Sequence, residues 1–297
     1  MITTYQIGNT PMGEFEYKGI KVHIKLESYN PSGSMKDRAA THILEVAKKR
    51  NIISQNTTII ESSSGNFGIA LAMACKRYNL KFICVIDNNT NNIIEKLLKI
   101  YDTKIVKVTK EDQNGGFLVN RIKKVKNILD SSSNMYWTNQ YANVLNAKSY
   151  YSLAEEILNQ VNNPDFIFVP VSSGGTITGI STYVKLRSPK TKIIAVDSEG
   201  SVIFGGKAQK RYIPGMGSSI KPSILQYAKI DEVLAINEVS MISECREFVK
   251  CTGMLIGGSS GACLYAIKQY YDRGIIRPGS KVVAIFPDRG DRYIESI

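Results

Sequence analysis

The sequence has no apolar run of membrane-spanning length. Stretches such as FICVI at 82–86 and FIFVPV at 166–171 are the length of buried strands. Histidine is scarce. His23 and His42 are the only two, too few and too scattered for a metal site. The five cysteines, Cys75, Cys84, Cys245, Cys251 and Cys263, are odd in number and lack CxxC spacing, so neither a disulfide framework nor a zinc module is expected. The start, MITTYQIGNTP, has no basic segment followed by an apolar one. No signal peptide is therefore expected, and the chain reads as a reduced, cytoplasmic protein. Acidic residues are the minority, 26 against 38 lysines and arginines, for a formal charge of +12. That balance suits anionic ligands. The local basic clusters at 48–50 and 123–126 carry no interleaved aromatics, so they read as solvated helix faces, and neither nucleic acid nor a membrane is expected as a partner.

What is present is a globular α/β chain. With 297 residues and 43% hydrophobic content, two domains of ordinary size or one large one are possible. Strand-like pieces at 15–19 and 21–28 precede a helix from Asp37. Short apolar strands at 57–60, 80–87 and 103–108 then alternate with helices at 67–78 and 91–100. Such alternation signals right-handed βαβ units and a parallel sheet. Gly115 and Gly116 open a helix over 117–129, and 135–161 runs from an aromatic segment into one further helix. A second alternating set has strands at 165–171, 192–200, 232–236 and 281–287, with helices beginning near 172, 239 and 259. The pattern reads as two α/β sheets in tandem, broken near 130–145.

Several loops between these elements are built for chemistry. In NPSGSMKDRAA, Lys36 follows a Pro/Gly/Ser turn and begins an amphipathic helix, where the macrodipole disfavours an ammonium. It is a candidate for a lowered pKa and for imine chemistry, or else an ordinary solvated lysine. SSGGT, Ser172 to Thr176, follows a buried strand and opens a helix. Its glycines, hydroxyls and helix N-terminus suit a phosphate, and the alternative is a tight turn with capping serines. It is neither a P-loop nor GxGxxG. ESSSGNFG, Glu61 to Gly68, repeats the shape with donors for a carboxylate, and Asn66 could bond a phenolic oxygen. In GGSSGA, Gly257 to Ala262, Ser259 either caps a helix or faces a ring nitrogen. An imine-forming lysine, a phosphate cradle, a carboxylate loop and a serine loop, each at a strand end, together suit pyridoxal 5′-phosphate.

In that order along the chain, these motifs resemble the fold-type II pyridoxal-phosphate enzymes of the cysteine synthase and cystathionine β-synthase family. The likeness runs from IGNTP (7–11) to PDRGDRY (287–293). It implies an α/β fold like the tryptophan synthase β-subunit, with two three-layer α/β/α domains and the active site between them. Residues 1–34 plus 143–297 would form the larger cofactor-binding domain, and 35–142 a smaller mobile one. Lys36 would be the catalytic lysine that forms the imine, Asn66 would hold the cofactor's O3′, Ser172, Ser173, Gly174, Gly175 and Thr176 would bind its phosphate, and Ser259 would face the pyridine nitrogen. Ser63, Ser64 and Gly65, with Gln140, would hold the substrate carboxylate. The family is usually homodimeric and acts on small amino acids.

Within the family, IESSSGNFGIALAM, GGFLVNRIKKV, YWTNQYANVLN, AVDSEGSVIFGG and FPDRGDRY are similar to a branch that uses O-phospho-L-serine and L-glutamate in siderophore precursor synthesis. Phe67 stands where plain cysteine synthases usually have threonine, and Ser172–Ser173 where Gly-Thr is usual. The resemblance implies β-replacement through an aminoacrylate, with Lys36 as the base at Cα. A phosphate leaving group needs a cationic clamp. Arg121 and Tyr141 are candidates, Arg211 is another, and the loop around Gly215 shares in substrate choice. Arg121 could equally be a surface member of the neighbouring lysine cluster. Sulfide as the acceptor, a lyase releasing hydrogen sulfide and a non-catalytic phosphate-binding protein are the competing functions.

Overall fold

The computed structural model describes residues 5–112 and 116–294. Gly115 lies outside the described residues. In chain order the elements are β1 (Met12–Tyr17), β2 (Ile20–Leu26), α1 (Lys36–Lys49), β3 (Thr58–Ser62), α2 (Asn66–Arg77), β4 (Lys81–Asp87), α3 (Asn92–Ile100), β5 (Lys104–Val108), α4 (Leu118–Asp130), β6 (Met135–Trp137), α5 (Val144–Lys148), α6 (Tyr151–Gln160), β7 (Phe166–Pro170), α7 (Gly175–Arg187), β8 (Lys192–Ser198), β9 (Glu232–Ile236), α8 (Glu238–Thr252), α9 (Gly258–Asp272) and β10 (Val282–Phe286). No helix among the described residues is long and apolar enough to cross a membrane.

The strands form a six-stranded sheet in the order β1-β2-β10-β7-β8-β9 and a four-stranded sheet in the order β5-β4-β3-β6. The smaller sheet is parallel throughout, and the larger one is parallel except for the β1–β2 hairpin. The two sheets are therefore not strictly in tandem. The N-terminal hairpin belongs to the larger sheet, because Val22 to Leu26 pair in parallel with Val282 to Phe286. A second departure lies at 135–161, where the expected single helix is two. The Ser149 hydroxyl bonds the Asn146 carbonyl at 2.7 Å, and Tyr150 N–H turns back to Ala147 O at 3.0 Å, which ends α5 before α6 begins.

Buried apolar side chains form three clusters. The largest joins α1 and α2 to α6, α7 and strand β7, so it ties the two sheets into one core. A second packs α8 and α9 on the far face of the larger sheet, and a small third lies on the far face of the smaller sheet. Each sheet is thus covered on both faces, as parallel sheets require.

In each sheet the strand order reverses once. Chain progress runs outward from β3 through β4 to β5, while β6 returns to the other side of β3. Likewise β8 and β9 run outward from β7, and β10 returns on its other side. A crevice opens beyond the carboxyl ends of the strands at such a switch point. The loops after β3, β6, β7 and β10 flank the two crevices.

The chain crosses between sheets at residues 27–36, and one buried charge cluster fixes the crossing. Arg38, in the first turn of α1, bonds Glu27 through Nε at 2.7 Å and Nη2 at 2.8 Å, and Glu156 of α6 through Nη1 and Nη2, both at 2.8 Å. Lys25, fully buried at the end of β2, reaches Glu156 at 2.8 Å and Thr10 O at 2.6 Å. Burial pushes the Glu156 carboxyl up, but Arg38 and Lys25 outweigh it and hold the group down to about 2. Replacing Arg38 with alanine would strand Glu27 in the core. Arg38→Ala should cost about 3–5 kcal/mol in urea denaturation, and a loss below about 1 kcal/mol would show the cluster to be dispensable. Because the Glu156 pKa is depressed, its contribution to stability is present above its ordinary 4.5 and is lost as pH falls toward 2. Glu156→Gln should flatten that part of the stability profile.

Candidate active site

Both crevices open into one cleft, lined by the ends of β3, β6, β7 and β10 together with Lys36. Lys36 is the first residue of α1. Met35 N–H bonds Pro287 O at 2.9 Å, and the Ser34 hydroxyl accepts from Lys36 N–H at 3.3 Å, so the lysine loop is sewn to the end of β10. Asp37 closes the Pro/Gly/Ser turn by accepting from Ser32 N–H at 2.7 Å and from the Ser32 hydroxyl. Burial lowers the Lys36 pKa to about 8, and the nearby Asp288 opposes the shift. The lowering expected for a lysine at a helix start is present, and desolvation is its largest cause.

The loop after β3 carries Ser63, Ser64, Gly65 and Asn66 into the cleft. The Ser63 hydroxyl accepts from Gly68 N–H at 2.9 Å and so serves the first turn of α2. Ser62 was not expected to take part. It lines the cleft, is buried, and its Oγ has no hydrogen-bond partner among the described residues. Behind the loop, the buried carboxylate of Glu61 accepts from Ser62 N–H, Trp137 Nε1, Thr138 Oγ1 and Gln140 N–H, at 2.7, 3.2, 2.6 and 3.2 Å. It thereby clamps the end of β6 to the end of β3. Gln140 also lines the cleft, with its Nε2 donating to Ser62 O at 3.1 Å.

The loop after β7 presents Ser172, Ser173, Gly174 and Thr176. Gly174 is left-handed, with φ +83°, and α7 begins without a side-chain cap, leaving first-turn N–H groups for a ligand. The Thr176 hydroxyl donates to the Met35 sulfur at 3.8 Å and stands beside the Tyr150 phenol. Gly175 does not line the cleft. A Cβ there would stand 2.2 Å from Asn146 Oδ1, so this glycine is needed for the packing of α7 on α5. Ser259 lines the cleft one residue inside α9. The N-cap is Gly257, with no side-chain cap bond, so helix capping does not account for Ser259. Gly215, at φ +91°, closes the same side.

Arg121 is buried and lines the cleft, whereas Lys123, Lys124 and Lys126 on the same helix face solvent. The surface alternative for Arg121 does not hold. Its Nε lies 3.2 Å from Asp87 Oδ2 as an ion pair, and among the described residues neither Nε nor Nη1 has a hydrogen-bond partner. Tyr141 lines the cleft as well, its phenol pushed up by burial while Arg121 opposes the shift. Arg211 is not brought to the cleft. It bonds Gly200 O at 2.6 Å and Ser218 O at 3.4 Å, and so supports the loop that carries Gly215. Asp288 and Tyr293, from the segment after β10, line the cleft without having been expected. They lie in the PDRGDRY motif of the resemblance, but no role was drawn from it for either residue.

A family model described as "Pyridoxal-phosphate dependent enzyme" matches residues 3–288. The chain belongs to that family. It is similar to the O-acetylserine dependent cystathionine beta-synthase from Helicobacter pylori, with 32% identity, 97% of this chain and 95% of that chain covered, and a TM-score of 0.90. A hydrogen sulfide-producing enzyme from Fusobacterium nucleatum is similar at 30% identity, with 97% of each chain covered and a TM-score of 0.90. O-Acetyl Serine Sulfhydrylase isoform 3 from Entamoeba histolytica shares 27% identity over 97% of this chain and 88% of that chain, with a TM-score of 0.87. The fold is accordingly that of fold-type II pyridoxal-phosphate enzymes, and the chain is a pyridoxal-phosphate-dependent enzyme of the cysteine synthase kind.

The residues in the cleft fit this cofactor. An uncapped helix start with buried Ser173 and a Thr176 hydroxyl whose bond to sulfur is long suits a phosphate. A desolvated lysine suits an aldehyde, because the neutral amine is the nucleophile. The rate at which the apoprotein captures pyridoxal phosphate should therefore rise with pH around a midpoint near 8. Trapping with cyanoborohydride and peptide mass spectrometry should place the label on Lys36. A midpoint above about 10, where lysine ordinarily titrates, would show that the capturing amine is not desolvated.

Proposed function

We propose that the enzyme is an N-(2-amino-2-carboxyethyl)-L-glutamate synthase, which replaces the phosphate of O-phospho-L-serine with the amine of L-glutamate. The observation that supports this reading is Arg121, a buried guanidinium in the cleft wall with two nitrogens lacking hydrogen-bond partners. A buried cation of this kind suits a charged leaving group. Asp87 pairs with Nε, Nη1 keeps no hydrogen-bond partner among the described residues, and Tyr141 adds a hydroxyl nearby.

Lys36 would hold the cofactor covalently, with Asn66 at its phenolic oxygen, Ser172 to Thr176 at its phosphate and Ser259 at its ring nitrogen. Bound there, the cofactor supplies an electron sink for charge at the substrate Cα. The Ser62–Gly65 loop and Gln140 would hold the substrate carboxylate, leaving the phosphate ester toward Arg121 and Tyr141. Lys36, once released, takes the proton from Cα. The Cβ–O bond breaks, and phosphate departs with the electron pair onto Arg121. The glutamate amine then bonds Cβ and loses a proton, and Lys36 returns a proton to Cα. Closure of residues 35–142 over 1–34 and 143–297 would exclude water from these steps. A homodimer would follow from the family likeness, and a cytoplasmic location would suit cysteines that lack a disulfide pattern.

The relatives named for O-acetylserine or hydrogen sulfide favour cysteine synthase as the second reading. A product screen separates the two. O-phospho-L-serine with L-glutamate should yield N-(2-amino-2-carboxyethyl)-L-glutamate and inorganic phosphate. Turnover of O-acetylserine with sulfide, and none of O-phosphoserine, would replace the first reading with the second. Arg121→Met should lower kcat/KM for O-phosphoserine about 10²-fold, in line with removal of a buried partner from a charge pair.

A further inference from the structure

One group of residues at and behind the cleft wall has no part in holding the proton or the leaving group. Asp288, Arg292 and Tyr293 follow β10 and surround Asn66 at the start of α2. Asn66 Nδ2 lies 2.5 Å from Asp288 Oδ2 and 3.0 Å from Tyr293 Oη, and Asn66 Oδ1 accepts from Arg292 Nη1. Tyr293 Oη donates to the same Asp288 oxygen at 2.5 Å, so its lone pairs are what Asn66 meets.

The two ends of an asparagine amide are nearly the same shape, and only the surroundings choose between them. Here the choice is forced from both sides. A guanidinium can only donate, and a carboxylate can only accept. Turning the amide over would set N–H against N–H at Arg292 and oxygen against oxygen at Asp288. Burial pushes the Asp288 carboxyl up, while Tyr293, Asn66, Arg292 and Lys36 all favour its charged form.

The group is braced on three sides. Arg292 Nη2 donates to Ser32 O in the lysine loop. Asn91 Nδ2 donates to Arg292 O at 3.0 Å from the start of α3. Gly257 leaves room for the carboxylate, since a Cβ there would stand 2.2 Å from Asp288 Oδ1. The brace therefore runs from the end of the chain to the lysine loop, to the smaller sheet and to the Ser259 loop.

We propose that Asp288 and Arg292 are positioning residues that lock the Asn66 amide with its N–H edge toward the cleft, so that Asn66 can offer a ligand only a donor. The proposal rests on the reading of Asn66 as the partner of the cofactor's phenolic oxygen. A donor there favours the ionised oxygen, and an acceptor there would oppose it. Asp288 Oδ2 and Tyr293 Oη lie 2.5 Å from one another and so face the same amide hydrogen, which leaves the other hydrogen for an anionic oxygen. The network thus sets the cofactor's ionisation through Asn66.

The test loads wild type, Arg292→Gln, Arg292→Lys and Asp288→Asn with pyridoxal phosphate and records the absorption spectrum and the dissociation constant. Glutamine can turn either end toward Asn66. Arg292→Gln should shift absorbance from the visible band of the ionised form toward the near-ultraviolet band of the neutral form and weaken binding about tenfold. Arg292→Lys still presents only donors and should keep the visible band. Asp288→Asn should shift the spectrum in the same direction by less, and it decides the matter if Arg292→Gln does not fold. Wild-type spectra and affinities in both neutral variants would overturn the proposal. If instead Asn66→Ala leaves the spectrum unchanged, the assignment of Asn66 to the phenolic oxygen fails, and the proposal falls with it.

Discussion

The guanidinium of Arg38 determines where Lys36 can stand. It sits two residues beyond the lysine, held by Glu27 at the end of the N-terminal hairpin and by Glu156 on α6. Glu27 and Glu156 flank the six-stranded sheet, and α1 leads on to the four-stranded one. Three buried charges are costly to desolvate and are tolerated only when each finds good partners. Arg38 meets the two carboxylates with well-placed nitrogens, and Lys25 completes the set. The crossing between sheets is consequently fixed at the residue pair that matters most for chemistry. A lysine on a loosely held loop would lie in water and keep its ordinary charge.

The second constraint is topological. A parallel sheet with one reversal of strand order has one crevice, and two such sheets offer two. Pairing β2 with β10 sets the larger sheet's crevice beside the lysine loop, since Met35 N–H reaches Pro287 O. The smaller sheet's crevice closes the other side through the ends of β3 and β6, which Glu61 holds together. The cleft residues therefore arrive from strand ends spread over the whole chain. Their side chains need only short reach, because the rigid strands do the positioning.

This division explains what could be read from the sequence. The three Gly/Ser loops are local patterns, an apolar strand followed by small polar residues and a helix, and the periodicities mark them directly. Lys36 and Ser259 fall into place by their position in such loops. Local periodicity did not show the hairpin's membership of the larger sheet, because pairing between residues near 24 and near 284 leaves no local trace, and only the family resemblance grouped 1–34 with 143–297. Asp288, Arg292 and Tyr293 stood in the quoted PDRGDRY motif, but their contacts with Asn66, more than 220 residues away, could not be read from it. Arg121 is a different case. Its helix is rich in lysine, and the charge run suggested a solvated face. Yet Arg121 lies three residues after Leu118 and four before Val125, the other two buried residues of α4. Helical phase alone put it on the inner face. Ser63 shows the converse, a residue named for a ligand whose hydroxyl is engaged by its own helix.

Arg121 also shows how a site can hold charge in reserve. Burying a guanidinium beside a single carboxylate leaves donors unsatisfied, which destabilises the fold. The fold carries that cost if an anionic ligand meets the guanidinium and completes its partners. On the proposed function, the charge would be present in the phosphate ester before reaction and in the phosphate that leaves. An interaction of equal strength in both states tightens binding without lowering the barrier of the bound complex. Acceleration of the chemical step would have to come from the extra charge that builds on the leaving oxygen as the Cβ–O bond breaks. Arg121 would then contribute mainly to choosing the donor, while Lys36, desolvated in the cleft wall, handles the proton. Cofactor chemistry and substrate choice would rest on separate residues, which is how one family scaffold can serve donors as different as acetyl and phosphate esters.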